Sequence, residues 1–310
     1  MSKAETGAAQ VPLPVENRPN VFDRAVCLSL TVGCLGTRRK VSTASVQVEA
    51  DKDLLHVGKE ILEAKELDAI KSLDGEMRTW LGKRALPSPF RRGTYLVPLD
   101  LVEQVDAKIA EYQEKRVTLV TDFLRVYDTA VANAKQRLNG LFDAADYPGV
   151  EKVRAAFYVD VRYLAFSVPE KLEGIRRDIF EREKTKAETQ WREASDEVRQ
   201  ALRAGLADLV DRMVERLKGN GDGKPRVFRD TMVTNLGEFL DTFAPRNITD
   251  DEQLGRLVDR CRNLLDGVDA DALRASDAIR SRVKSGMEQV QATLDTMVID
   301  RPSRRIVLED

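Results

Sequence analysis

Residues 102–141 read "VEQVDAKIAEYQEKRVTLVTDFLRVYDTAVANAKQRLNGL", and this stretch decides the fold class. Its apolar residues recur mostly three and four positions apart, which is the spacing of one face of an α-helix. The apolar stripe is narrow and its flanks are charged, as in an antiparallel pair of helices. A second stretch of this kind runs from Leu172 to Leu217. We therefore predict a mainly α-helical protein in which residues 99–218 form a long antiparallel coiled-coil helical hairpin.

The middle of the second stretch is unusually polar. Residues 181–190 read "EREKTKAETQ" and contain almost nothing apolar. A helix with so few apolar residues either projects into solvent or is covered only when a partner binds. The sequence leaves both possibilities open.

A small β-sheet is predicted at the base of the hairpin. Apolar residues alternate with small or polar ones from Val26 to Val32, which is the period of a half-buried strand. Residues 41–48, "VSTASVQV", are rich in β-branched residues, so we predict that the two runs pair as a β-hairpin. Two strands alone are marginal in water. We expect a third strand from residues 303–310, which would join a small α/β base formed by residues 21–98.

The remaining segments are simpler to assign. Residues 1–20 carry small residues and three prolines, which indicates a disordered leader. Helical spacing predicts a helix over residues 59–84 and a cluster of shorter helices over residues 225–300. Residues 151–166, "EKVRAAFYVDVRYLAF", predict a short helix. A strand from Phe157 to Val161 is the alternative for part of that stretch.

Composition narrows the classes of function. The formal net charge is −2, so the chain has no overall field that would hold nucleic acid or an anionic membrane. The three cysteines, Cys27, Cys34 and Cys261, are interpreted as reduced thiols of a cytoplasmic protein. We therefore expect neither a signal peptide nor a membrane-spanning segment.

The glycine-rich stretch "KGNGDGKPRVF" (residues 218–228) resembles a ligand loop but fits none. With Gly223 at the sixth position of a calcium loop, Lys218 and Arg229 replace the carboxylates of the first and twelfth positions. In a phosphate loop ending at Gly223, Lys218 would replace the first glycine and Pro225 the hydroxyl residue. The stretch is therefore interpreted as a helix end and a turn.

The sequence offers little material for catalysis. His56 is the only histidine and has no nucleophile motif beside it, so multi-histidine metal sites are excluded. The many carboxylates lie on charged helix faces, where solvated acids are the simpler interpretation. We expect no catalytic residue, no cofactor and no metal, and hence a protein that is not an enzyme.

Three basic clusters are the candidate binding residues. If they converge in space, they form a positive patch suited to phosphates or to an acidic partner. The alternative is that scattered basic turns only keep the surface soluble. The residues concerned are Arg38, Arg39, Lys40, Arg91, Arg92, Arg304 and Arg305.

One region resembles a known family. A Leu-Pro-Ser turn at residues 86–88 precedes a Gly-x-Tyr-Leu-x-Pro step at residues 93–98, and a long helix is predicted to follow. Over residues 25–170 the chain is similar to a family of phage and mobile-element proteins known only as a domain of unknown function. Members are often encoded near MoxR-type AAA+ ATPases and von Willebrand A-type proteins. The resemblance implies a protein partner in an ATPase-linked assembly and supplies no catalytic residues.

Two hypotheses about function follow. In the first, the protein is a non-enzymatic scaffold or adaptor that self-associates or binds a protein partner through the helical hairpin. In the second, it binds nucleic acid through the basic turns and uses the long helices as a spacer or dimeriser. No membrane partner is expected in either case.

Overall fold

In a computed structural model of the chain, the described residues are 21–43, 51, 54–88, 93–165, 171–218 and 230–298. They form a mainly helical fold with a small antiparallel sheet, long helices and a C-terminal helical cluster, which confirms these features of the predicted fold class. The predicted leader, the predicted strand at 303–310 and most of the glycine-rich turn lie outside the described residues.

The described residues include six strands and ten α-helices. The strands are β1 (Ala25–Val32), β2 (Arg38–Lys40), β3 (Gly58–Glu60), β4 (Leu86–Pro87), β5 (Thr94–Pro98) and β6 (Val159–Leu164). The helices are α1 (Lys65–Arg84), α2 (Val102–Leu138), α3 (Val150–Ala156), α4 (Lys171–Ile175), α5 (Arg177–Leu217), α6 (Asp230–Asp241), α7 (Phe243–Arg246), α8 (Glu252–Leu265), α9 (Ala270–Ala275) and α10 (Asp277–Met297).

Strand β1 forms where the alternating pattern predicts it, but its neighbours differ from the prediction. The four-stranded sheet has the order β4-β5-β1-β6, and both ladders of β1 are antiparallel. Cys27 lies opposite Leu96 of β5 on one side and Leu164 of β6 on the other. Strands β5 and β6 occupy the two edges of β1, and residues 41–43 of the predicted partner are not in a strand; residues 44–48 lie outside the described residues. The open alternative of a strand near Phe157 is confirmed by β6.

The sheet lies between two helical layers because the side chains of β1 alternate. Leu28 packs with α1 and α2, in a cluster that also contains Val97 of β5. Cys27 packs on the opposite face with α5 and the C-terminal helices, together with Leu96. Adjacent residues of a strand point to opposite faces, so one short strand contributes to two cores.

The two long helices do not form the predicted coiled-coil hairpin with each other. Helix α2 packs along α1, while α5 packs along α10 and α6. Their buried side chains accordingly belong to different clusters, as Phe123 of α2 and Leu206 of α5 illustrate. Both long helices form where their apolar stripes predict them. A stripe shows only that one face of a helix is buried and does not identify the element that covers it.

The C-terminal helices form the largest core with the second half of α5. Three of them begin at residues whose side chains accept a backbone N–H, which satisfies an otherwise unpaired donor at the helix start. Asp251 accepts from Leu254 N, Asp269 from Ala272 N and Ser276 from Ile279 N. Among the described residues, no helix is both long enough and apolar enough to cross a membrane.

Gly33, which follows β1, allows three elements to approach each other. Its N–H donates to Tyr158 O (2.8 Å) and its carbonyl accepts from Arg116 Nη2 (2.6 Å). A Cβ atom at this position would lie 2.3 Å from the Tyr158 ring and 2.7 Å from Ala156 O. Those distances are shorter than any van der Waals contact, so only glycine fits without displacing backbone.

Replacing Gly33 by alanine is therefore expected to lower the free energy of unfolding by about 1–3 kcal/mol, the usual effect of overpacking. Urea denaturation of the full chain measures this change. Gly75→Ala in α1 is the matched control, because a Cβ there meets nothing within 4 Å. That substitution should be neutral or stabilise by up to about 1 kcal/mol. A Gly33→Ala protein as stable as the control would contradict the close packing.

Candidate interaction surface

Helix α5 consists of two halves with opposite environments. Its buried residues begin at Ala194 and continue to Leu217. None of residues 177–193 is buried, although they belong to the same continuous helix. We call residues 177–193 the α5 arm. At 1.5 Å per residue the arm is about 26 Å long. Of the two possibilities that the sequence leaves open, the structure shows the first, because most of the polar segment at residues 181–190 is exposed to solvent.

The α5 arm carries an apolar row that the described structure covers only in part. Phe180, Ala187 and Trp191 occupy one side of the helix, with Lys184 between the first two, at successive spacings of four, three and four residues. Phe180, Ala187 and Trp191 are half-buried, and Lys184 is exposed. The row continues into the buried face of the second half through Ala194, Val198, Ala201 and Gly205. The face of α5 that forms a core in the second half of the helix is thus only partly covered in the first half.

Charged side chains are distributed unevenly around the arm. Viewed down the helix, Glu181 and Glu188 lie on one flank of the apolar row and Glu183 lies on the other. Arg182 and Lys186 lie toward the far side of the helix. The apolar row is therefore bordered by carboxylates, while these cations are turned away from it.

Local ion pairs support the helical conformation of the arm. Glu183 accepts from Lys186 Nζ (2.9 Å), and this hydrogen bond is the main reason that the pKa of Glu183 lies below its usual range. Just before the arm, Arg176 donates twice to Asp178, with both distances 2.8 Å, and this pairing lowers the pKa of Asp178. Such pairs on a helix surface each add a few tenths of a kcal/mol to helix stability at most.

The basic residues predicted from the sequence are only partly within the described structure. Arg38, Arg39 and Lys40 form β2 instead of a turn. Arg38 Nε lies 3.4 Å from Glu60, and Arg39 Nε lies 3.5 Å from Asp146. Both arginines are thus close to carboxylates, while Lys40 is exposed. The other members of the proposed patch, Arg91, Arg92, Arg304 and Arg305, lie outside the described residues.

The candidate nucleophiles are poorly placed for chemistry. Burial raises the pKa of Cys27 to about 11 and that of Cys261 to about 12, so both are protonated near neutral pH. Burial is also the main cause that raises the pKa of Cys34. His56 is exposed in the segment before β3. In the described part of the chain, no group of three or more His, Cys, Asp or Glu residues could hold a metal ion.

A cavity of about 300 Å³ opens between α2 and the segment that joins α3 to β6. Val117 and Tyr158, which are 68% and 50% exposed, lie at its walls together with Phe157. Its charged lining residues are Arg116 and Arg154, and its lining contains no His, Cys, Asp or Glu. Among its described lining residues, the cavity thus presents no pair of titratable groups arranged for acid–base catalysis.

The fold and the partly covered arm define a mainly helical protein with a central antiparallel sheet and a long helix that extends beyond its core. Comparison with known families agrees with the resemblance to a domain of unknown function. Residues 22–223, more than half of the chain, match the family described as "Protein of unknown function (DUF3150)", and the chain belongs to that family. The matched range includes the four-stranded sheet, α2 and the α5 arm. No match was found among curated proteins or among solved structures.

Proposed function

We propose that the protein is a non-enzymatic scaffold or adaptor that binds another protein through the α5 arm. The observation that carries this proposal is the continuity of the apolar row of α5. The row forms a core from Ala194 onward, yet is only half-buried at Phe180, Ala187 and Trp191. Aromatic side chains held at helical spacing on a rigid support are typical anchors of a helix–helix interface.

The use of charged groups inside the protein also favours a structural role. Arg203 Nε donates to Asp251 at 2.7 Å and thereby links α5 to the start of α8. Lys83 and Arg84, at the end of α1, both donate to Glu238 of α6, at 2.9 and 3.3 Å. These ion pairs join helices to one another, so their charged groups have a structural role.

The proposed setting is an assembly of a phage or mobile element that is linked to an ATPase of the MoxR type. In such an assembly, the sheet and its helical layers would form the body, and the arm would reach a partner about 26 Å away from that body. The protein would connect components and leave the chemistry to the ATPase.

Replacing both aromatic residues of the arm tests the proposal. The Phe180→Ala/Trp191→Ala protein is expected to recover its partner from the native host at least tenfold less efficiently than the wild type. Two interface anchors that each contribute about 2 kcal/mol or more justify this magnitude. The measurement is quantitative mass spectrometry after affinity purification, with and without nuclease. The unfolding free energy of the variant should fall by no more than about 1 kcal/mol per substitution, because both residues are only half-buried.

Val117→Ala is the matched control, since Val117 is an exposed apolar residue on α2, away from the arm. This variant should recover the partner as well as the wild type does. Equal recovery by the arm variant and the control would contradict binding through the arm. Recovery that disappears with nuclease and with Arg38→Glu/Arg39→Glu would instead support the nucleic-acid hypothesis.

A further inference from the structure

We infer that the partner of the α5 arm is an amphipathic helix whose apolar stripe is bordered by lysine or arginine, and that it is not a second copy of the arm. The inference rests on the proposed function and specifies the chemistry of the partner. It follows from the position of each arm residue in the seven-residue repeat of helix pairs.

The apolar row assigns the positions of the repeat. Lys184 and Trp191 occupy position a, and Phe180 and Ala187 occupy position d, because the row advances by four and three residues in turn. The positions that border a helix–helix seam are e and g. They are taken by Glu181 and Glu188 at e, and by Glu183 and Gln190 at g. Three of the four bordering residues are therefore acidic.

These acidic borders oppose pairing between two arms in either direction. In a parallel pair, position g of one helix faces position e of the next repeat, which brings Glu183 against Glu188 of the other copy. The seam itself would place Lys184 against Lys184. In an antiparallel pair, e faces e, which brings Glu181 and Glu188 of the two copies together. Like charges that face each other at these positions destabilise a helix pair and select against it.

The carboxylates at position e are available to a partner. Neither Glu181 nor Glu188 forms an ion pair within the described part of the chain, and both are exposed. Glu183 is different, because it is paired with Arg182 (3.4 Å) and Lys186 (2.9 Å) on its own helix. The carboxylates of Glu181 and Glu188 therefore favour a partner that places cations opposite them. A helix with Lys or Arg along its facing border provides these cations.

Lys184 defines one more property of the partner. A lysine at position a weakens a helix pair unless a polar or acidic residue faces it, and such residues fix the register of the two helices. A carboxylate or amide is therefore expected in the seam of the partner opposite Lys184. The basic borders and the polar seam residue together describe a partner that fits this arm in one register only.

Two synthetic peptides of three heptads test the inference with the full chain. Both carry the same Leu and Ala seam with one central Asn, and they differ only in having Lys or Glu at every e and g position. By fluorescence anisotropy at low salt, the Lys peptide should bind at least tenfold more tightly than the Glu peptide. Its affinity should fall as salt increases, because exposed charge pairs are screened.

Single charge reversals locate the contact. Glu188→Lys should weaken binding of the Lys peptide at least threefold, whereas Glu193→Lys, the same change on the far side of the arm, should leave it unchanged. Equal binding of both peptides, or binding of neither, overturns the inference. So does sedimentation of the wild-type chain as a dimer that Trp191→Ala converts to a monomer. If the arm variant still loses its host partner while neither peptide binds, the proposed function stands and the basic-bordered helix does not.

Discussion

Replacing Asp74 by alanine is expected to lower the free energy of unfolding by about 3–5 kcal/mol, because it leaves a buried guanidinium without a counter-ion. Asp74 of α1 and Arg116 of α2 are each only 4% exposed. Arg116 Nε donates to Asp74 Oδ1 at 2.7 Å, and Nη2 donates to Oδ2 at 3.1 Å. Two parallel hydrogen bonds of this kind form the strongest geometry of an Arg–carboxylate pair. Urea denaturation followed by circular dichroism measures the loss.

The expected loss of stability is large because Arg116 also holds a second element in place. Arg116 also donates to the carbonyl of Gly33 after β1. One arginine thus joins α1, α2 and the end of the central strand. Removing Asp74 would leave the charge of Arg116 uncompensated and weaken the contact between these three elements.

Two controls distinguish the buried pair from ordinary surface charges. Asp68→Ala removes an exposed acid whose ion pair with Lys71 is long, at 3.7 Å, and should change stability by no more than about 0.5 kcal/mol. Asp74→Leu combined with Arg116→Met removes both charges and should restore much of the stability lost by Asp74→Ala, since no unpaired charge remains. If the double variant loses as much stability as the two single changes added together, the two residues are not coupled.

The local elements could be predicted from the sequence because each is encoded in a few adjacent turns or residues. The alternation from Val26 to Val32 specifies β1 without reference to the rest of the chain. The apolar stripe likewise specifies α2, which ends at Leu138. Asn139 follows with a φ of +45°, a backbone conformation that cannot continue a right-handed helix. In both cases the deciding interactions lie within the element itself.

The pairing of elements could not be predicted in the same way. Strand β6 alternates apolar and polar residues from Val159 to Tyr163, but it directly follows a short helix, and its alternation does not identify the strand that it pairs with. Its place beside β1 depends on a contact across more than 120 residues, such as that between Val32 and Val159. The ion pair between Arg39 and Asp146, a carboxylate that Lys59 also contacts, is equally remote in sequence. Patterns that recur within a window of a few turns contain no information on such contacts.

The candidate surface was visible in the sequence only as a polar segment. Trp191 and Ala194 lie on one stripe, three residues apart, and nothing in their spacing separates them. Burial begins at Ala194 because α10, α6 and the sheet cover α5 from there onward. The partial exposure of Trp191 therefore depends on the helices around α5 and not on the sequence of α5 itself.

Phe123→Ala is expected to lower the free energy of unfolding by about 3–5 kcal/mol, the usual effect of removing a buried aromatic side chain. Phe123 is fully buried on α2 and makes edge-on ring contacts with Tyr127 and Phe157, at centroid distances of 5.9 and 5.6 Å. The truncation removes the centre of the cluster that holds α2 against α1 and the segment before β6. Denaturant midpoints of the full chain measure the change.

A graded series identifies packing as the cause. Phe123→Leu keeps part of the volume and should lose less, about 1–2 kcal/mol. Leu99→Ala, at a residue that is 50% exposed, should lose no more than about 0.5 kcal/mol. Because the α5 arm lies outside this cluster, Phe123→Ala should bind the Lys peptide as tightly as the wild type under conditions where it remains folded. A Phe123→Ala protein no less stable than Leu99→Ala would show that the aromatic cluster does not support this helical layer. A loss of peptide binding in the folded variant would show that the arm depends on the body of the protein more than its exposure indicates.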